Sequence, residues 1–147
     1  MGEAKALVRV GRRQVKSSDH WLLVVGATEQ LLNMAEGEES WWCVDIGSKT
    51  GDLALVYRPA SPHIEGAVVC SFEVVTLRVR QRSFCRLYGM ATARIKMLRV
   101  FDPPISRRKV LENPAVKNES FARRNFQGKS FPISPEVFAA TASLAEP

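Results

Sequence analysis

Stacking is the chemistry most legible in this chain. Trp41 and Trp42 are adjacent in Ser40-Trp41-Trp42-Cys43-Val44-Asp45. Successive side chains of an extended segment point to opposite faces, so a strand here cannot send both indoles into one core. One indole is left at or near the surface, where a flat aromatic ring serves to stack on another ring. A nucleobase offers such a face whatever its identity. From its residue type alone, Trp42 is either a core indole or a ligand platform. A second group lies far along the chain, in Phe121-Ala122-Arg123-Arg124-Asn125-Phe126-Gln127-Gly128. The amides of Asn125 and Gln127 both donate and accept, which suits base edges. The paired guanidinium groups of Arg123 and Arg124 suit phosphates. The bland reading of this stretch is a solvated basic loop. Aromatic, amide and paired arginine together describe a nucleotide pocket, and none of them does so alone.

Signals for catalysis are thin. The chain has no Gly-x-Ser-x-Gly elbow, no P-loop and no dinucleotide glycine fingerprint. His20 begins an apolar run and His63 falls in a loop, neither near a nucleophile. Asp52 after Gly51 is most simply a turn residue. An enzyme would have to draw on Asp45, Asp52 and Lys49. The three cysteines, Cys43, Cys70 and Cys85, have no metal-ligand spacing, so no metal or cofactor is expected. Reduced core thiols of a cytoplasmic protein are the expectation.

The elements that must position these groups are mostly strands. His20 to Val25 reads as a buried strand stopped by Gly26, and Thr28 as the cap of a helix over 29–35. The tryptophan segment, a Lys49-Thr50-Gly51-Asp52 turn and a strand Leu53 to Arg58 follow. Ile64 to Val79 is a long β-rich run in which Val68, Cys70, Phe72 and Val74 share a face. Arg78, Arg80 and Arg82 share that parity and would line one side of an extended chain. Ala91 to Phe101 alternates as a half-buried strand, ended by Asp102-Pro103-Pro104. Ser106 caps a short helix to Leu111. Ser134-Pro135-Glu136 starts a last helix running to about Leu144. Strands first and short helices late, without strand–helix alternation, predict an α+β fold with a strongly curved or barrel-like sheet.

The 147 residues are 46% hydrophobic, enough for one domain with a real core. No apolar run approaches the roughly 20 residues of a membrane span. Residues 1–18 carry Lys5, Arg9, Arg12, Arg13 and Lys16 and read as a basic arm rather than a secretory signal. They precede a domain over 19–147. The net charge of +6 raises the odds of a polyanionic partner, but placement matters more than the sum.

In order and spacing, several short segments resemble the EVE domain of the PUA-like superfamily. They are His20-Trp21-Leu22, Ser40-Trp41-Trp42-Cys43-Val44, Gly51 to Arg58, Phe101-Asp102-Pro103-Pro104-Ile105, Asn113-Pro114, Arg124 to Gly128 and Phe131 to Phe138. EVE domains are similar to YTH domains, which bind methylated adenine in RNA. The resemblance implies an open PUA-like β-barrel flanked by helices and a pocket for a flipped-out, often modified, base. It makes Trp42-Cys43 one wall of an aromatic cage. It makes Arg124-Asn125-Phe126-Gln127 a loop that faces the base and the backbone. Two departures stand out. Val25-Gly26-Ala27-Thr28-Glu29 replaces a Lys-Ser-Glu-Pro stretch, leaving backbone groups of Val25 and Gly26 to serve. The second cage tryptophan is missing, with Phe84 or Tyr88 as substitute.

The resulting expectation is a non-catalytic reader of a modified base in DNA or RNA, with a possible protein partner supplying effector activity and no membrane partner. Trp42, Cys43, Trp21, Val25, Gly26, Asn125 and Gln127 form the nucleobase set, although Trp21 or Trp41 is expected to be the more structural indole. Arg58, Arg123 and Arg124 form the phosphate set. The rival classes are an enzyme acting on a nucleic acid or small amide, and a protein-interaction module.

Overall fold

The computed structural model describes residues 9–10, 13–14, 19–78 and 80–145. The basic arm lies outside these residues except for Arg9–Val10 (β1) and Arg13–Gln14 (β2), whose backbones pair antiparallel. The domain proper follows in the order His20–Val24 (β3), Glu29–Leu32 (α1), Glu39–Val44 (β4) and Leu53–Arg58 (β5). Ala67–Leu77 (β6), Ser83–Leu87 (α2), Ala91–Ser106 (β7) and Arg107–Leu111 (α3) come next. After a 3-10 turn at Pro114–Asn118 come Ser120–Arg123 (α4), Ser130–Pro132 (β8) and Pro135–Ala142 (α5).

Six strands form one sheet in the order β4-β7-β6-β5-β3-β8, antiparallel except for the β3–β5 pair. Neighbouring strands lie about 4.8 Å apart, so a flat sheet would separate β4 from β8 by roughly 24 Å. Yet the Ser130 hydroxyl at the start of β8 donates to the carboxylate of Asp45, the residue after β4. The sheet is therefore strongly curved and left open, with side chains bridging its two edges.

Strand alternation divides the apolar residues between two cores. Trp21, Leu23, Ala54, Val56, Phe72, Ile95 and Met97 pack inside the curve with Leu31 and Met34. Leu22, Leu55 and Tyr57 face outward onto the helical layer, against Val110, Phe121, Phe126, Phe131 and Val137. Burial on both faces explains why β3 and β5 read as nearly continuous apolar runs. Two of the three cap expectations hold, and Thr28 makes no side-chain cap hydrogen bond. The Ser106 hydroxyl accepts from the Lys109 amide, and the Ser134 hydroxyl from the Val137 amide.

Four local expectations are corrected. Val68 does not share the face of Cys70, Phe72 and Val74. A register shift between Val68 and Cys70 turns it into the outer core. Asp102-Pro103-Pro104 does not end β7. The ladder pairs Val100 with Cys70 and Ile105 with Val68, so residues 101–104 bulge opposite Val69. A bulge tolerates proline because no ladder N–H is required there. Helix α1 stops at Leu32 rather than at Ala35. Finally, Arg78, Arg80 and Arg82 do not share one strand side, because β6 ends at Leu77.

Asp52 holds the inner core to the turn before β5. Its buried carboxylate accepts from Trp21 Nε1 at 2.9 Å, from the Lys49 amide at 2.8 Å and from Lys49 Nζ at 3.4 Å. Replacing Asp52 by Ala leaves a buried indole N–H without this partner. The expected cost is about 2–3 kcal/mol, read as a lower urea midpoint at an unchanged m-value.

Candidate functional site

Where the curved sheet gapes, a cavity of about 630 Å³ opens between the end of β3, α1, β4 and α2. That volume lies within the roughly 300–1,000 Å³ typical of small-ligand sites. Val24, Val25, Gly26 and Ala27 line it from the turn after β3, and Glu29 and Gln30 from α1. Strand β4 supplies Trp41, Trp42 and Cys43, and α2 with its flanks supplies Arg82, Phe84, Cys85, Tyr88 and Met90. Lys129, just before β8, completes the lining.

Both indoles of the tryptophan pair are half-buried. Trp42 packs against the inner core, so one part of it is anchored while the rest faces the cavity. Trp41 carries the guanidinium groups of Arg78 and Arg94 over its ring, at 5.2 and 5.6 Å from the centroid. Arg94 Nε also donates to Glu39 at 2.6 Å.

Both of the aromatic residues left open by the sequence reach the cavity. Phe84 and Tyr88 line the same cavity, with ring centroids 5.0 Å apart and planes tilted by 55°. Phe84 sits on α2 and Tyr88 caps its C-terminal end four residues on, and this five-residue helix buries only Cys85. Such a helix has little intrinsic stability, and four ties hold it. Cys85 is disulfide-bonded to Cys43 of β4. The Met90 amide donates to the Cys85 carbonyl at 2.8 Å. Lys129 Nζ donates to the Tyr88 carbonyl at 2.5 Å, and the Arg82 amide to Thr92 Oγ1 at 2.9 Å.

The disulfide corrects the expectation of reduced core thiols. Cys43 and Cys85 are 42 residues apart, and they meet because β4 pairs with β7 and α2 folds back onto that pair. Their Cα atoms lie 5.4 Å apart, within bridging range. Cys70 is the free thiol, and burial pushes it up to about 12, which leaves it unreactive.

The remaining site candidates fall into two groups. Val25 and Gly26 line the cavity with Trp42 and Cys43. Trp21 does not: it is buried and bonded to Asp52. Asn125, Gln127, Arg123, Arg124 and Arg58 do not line it either. Asn125 Oδ1 accepts from Arg107, and Arg58 Nη2 donates to the Glu65 carbonyl at 3.1 Å. Phe126 sets the position of this loop. It is buried and stacks on Tyr57 at 4.0 Å with planes 17° apart. Asn125 and Phe126 both adopt positive φ, 55° and 60°, to make that turn.

Residue-type reasoning passed over Glu29, Gln30, Arg82, Met90 and Lys129 as cavity residues. A signal existed for three of them. Glu29 and Gln30 come three and four residues after Gly26, and Lys129 follows Gly128 of the flagged loop. The three groups named from the sequence for an enzyme are engaged in other bonds, while Glu29 and Lys129 bring a carboxylate and an amine to the cavity. Asp45 accepts from the Gly47 amide and from Ser130, and Lys49 pairs with Asp52. Among the described residues no group of three or more His, Cys, Asp or Glu could hold a metal ion. Among them, too, no helix is long and apolar enough to cross a membrane.

No protein-family model and no curated protein sequence matches the chain. Solved structures do. The human THYN1 protein, in complex with 5-methylcytosine-containing DNA, aligns over 87% of this chain and 99% of its own, with a TM-score of 0.61 and 12% identity. The DUF55 domain of human thymocyte nuclear protein 1 aligns over 85% of this chain and 97% of its own, with a TM-score of 0.59 and 12% identity. The fold is that of the EVE/DUF55 domains, PUA-like. An ASCH protein from Zymomonas mobilis aligns over 87% of this chain and 96% of its own, with a TM-score of 0.52 and 12% identity. At these identities the likeness establishes the EVE/PUA-like fold and leaves the chemistry to the cavity residues.

Proposed function

We propose that the chain is a non-catalytic nucleic-acid-binding module that accepts a flipped-out, modified base in the cavity. The observation that carries this reading is the lining itself. Trp42, Phe84 and Tyr88 supply ring faces, Glu29 and Gln30 supply polar edges, and Arg82 and Lys129 supply positive charge. The THYN1 complex with 5-methylcytosine-containing DNA, on the same fold, supports a nucleic acid as the ligand class. Binding is read in preference to turnover because Asp45, Asp52 and Lys49 serve structural bonds outside the cavity lining and Lys129 is engaged by the Tyr88 carbonyl, which leaves Glu29 as the carboxylate of the lining. Asn125, bonded to Arg107, is assigned to the loop's architecture rather than to the base edge.

Magnitudes limit what one such cavity achieves. A stacked base contributes about 1–3 kcal/mol, so a free nucleoside binds weakly. A buried methyl adds about 0.8 kcal/mol, roughly fourfold discrimination between modified and plain base. Phosphate contacts must supply the rest, and they weaken as salt rises. Arg82→Ala is expected to lower affinity for plain and modified single strands equally. It should also reduce the slope of log K against log salt by about 0.7.

The test is tryptophan fluorescence quenching with short single-stranded DNA and RNA, plain or carrying 5-methylcytosine, 5-hydroxymethylcytosine or N6-methyladenine. Saturable quenching stronger for one modified strand is the expected result. Equal, salt-sensitive quenching by every strand would reduce the cavity to a bystander of a basic surface. No quenching by any strand would favour a protein partner.

A further inference from the structure

Helix α2 also carries apolar surface outside the main cavity. Leu87 is 79% exposed and Phe84 65%. Ser83, Phe84, Arg86 and Leu87 line a shallow recess beside the main cavity, and Phe84 belongs to both. Leu87 therefore stands next to the cavity wall rather than on a remote face. Its surroundings are cationic. Between Glu73 and Asp102 the sequence holds seven Arg and Lys and no acid, and Arg80, Arg82 and Arg86 around α2 are exposed. An apolar tip with exposed arginines close by in the chain is a poor match for an apolar protein surface. It matches a polyanion with an apolar interior, which describes duplex DNA.

We propose that α2 is a wedge that enters a DNA duplex beside the flipped nucleotide, with Leu87 as the inserted side chain. This rests on the cavity reading above and extends it from single strands to duplex sites. Extruding a base costs a few kcal/mol of lost stacking and pairing. An apolar side chain placed in the vacated step recovers part of that loss, and phosphate contacts from flanking arginines hold the kinked backbone. Such a wedge must not yield when pressed. The Cys43–Cys85 bond fixes α2 to β4, the strand that carries Trp42, and Lys129, just before β8, holds the Tyr88 carbonyl at the helix end. Wedge and stacking platform therefore move as one body.

The test compares Leu87→Ala with the unsubstituted protein on two probes. One is a short duplex with a single 5-methylcytosine and 2-aminopurine as its neighbour, and the other is the same modified strand alone. Because Leu87 is mostly exposed, the variant should keep its far-ultraviolet circular dichroism and melting temperature. Duplex affinity should fall on the order of tenfold, with loss of the 2-aminopurine fluorescence rise that reports unstacking. Single-strand affinity should not change, and Leu87→Met should recover most of the duplex binding. Equal loss on both probes, or no loss on either, overturns the wedge. A protein that binds the single strand but not the duplex overturns the wedge and leaves the cavity reading standing. Failure to bind the single strand removes the cavity reading, and the wedge with it. A concentration-dependent sedimentation coefficient lost in Leu87→Ala, without a change in duplex binding, would instead make the patch a self-association surface and overturn the proposal.

Discussion

Trp42→Ala is expected to lose roughly 5- to 150-fold in affinity for the preferred modified strand while the domain stays folded. Two features of the residue set this outcome. It is half-buried, packing on the inner core along one part and lining the cavity with the rest. Loss of the stacked face removes about 1–3 kcal/mol of binding, a factor of roughly 5 to 150. Loss of the packed part costs stability as well. A folded domain holds about 5–15 kcal/mol in reserve, and most of the inner core, including Phe72, Ile95 and Met97, is untouched. The measurements are fluorescence anisotropy of a labelled strand and circular dichroism of the same preparation. Trp42→Phe should retain part of the affinity, because a smaller ring still stacks. An unfolded Trp42→Ala alongside a folded Trp42→Phe of unchanged affinity would assign Trp42 to the core and remove it from the site.

Reduction of the Cys43–Cys85 bond is expected to lower stability by about 2–4 kcal/mol and to release α2. The stability figure follows from the 42-residue separation, since cross-linking a loop of that length restricts the unfolded chain. The effect on the cavity follows from where the bond sits. Cys85 is the buried residue of a five-residue helix, so without the link Phe84 and Tyr88 lose their strongest tether to β4. Urea denaturation with and without a dithiol reductant reads the first effect. Amide exchange over residues 83–90 reads the second, as faster exchange in the reduced protein. Thiol titration gives an independent check. The unreduced, denatured chain should titrate one thiol, Cys70, and the reduced chain three. Three thiols without reductant would mean that α2 is held by its hydrogen bonds and packing alone.

Local signals were enough wherever one residue and its near neighbours decide the outcome. Ser106 and Ser134 cap their helices through amides three positions on, and Ala93, Ile95 and Met97 alternate into one core. The run of apolar residues through β3 and β5 showed burial, though not its division between two cores. Helix α2 was not legible, because Ser83–Leu87 is too short for a helical period and its apolar residues do not point into a core. Between Phe84 and Tyr88 the sequence left the choice open, and both residues line the cavity.

By itself, the sequence determined the α+β class, the Ser106 and Ser134 helix caps, the EVE-like order of segments and the placing of Trp42 on a strand. Each of these depends on residues within a few positions of one another, or on the order of such groups. Tertiary structure alone decided the bond between Cys43 and Cys85, the turning of Val68 to the outer core, and the engagement of Asp52 with Trp21. It also decided that Asn125 meets Arg107 while Lys129 meets the cavity. Those outcomes rest on strand register and sheet curvature, which bring residues tens of positions apart to within bonding distance. A one-residue shift of register turns every side chain of a strand to the opposite face, so composition and spacing cannot specify them.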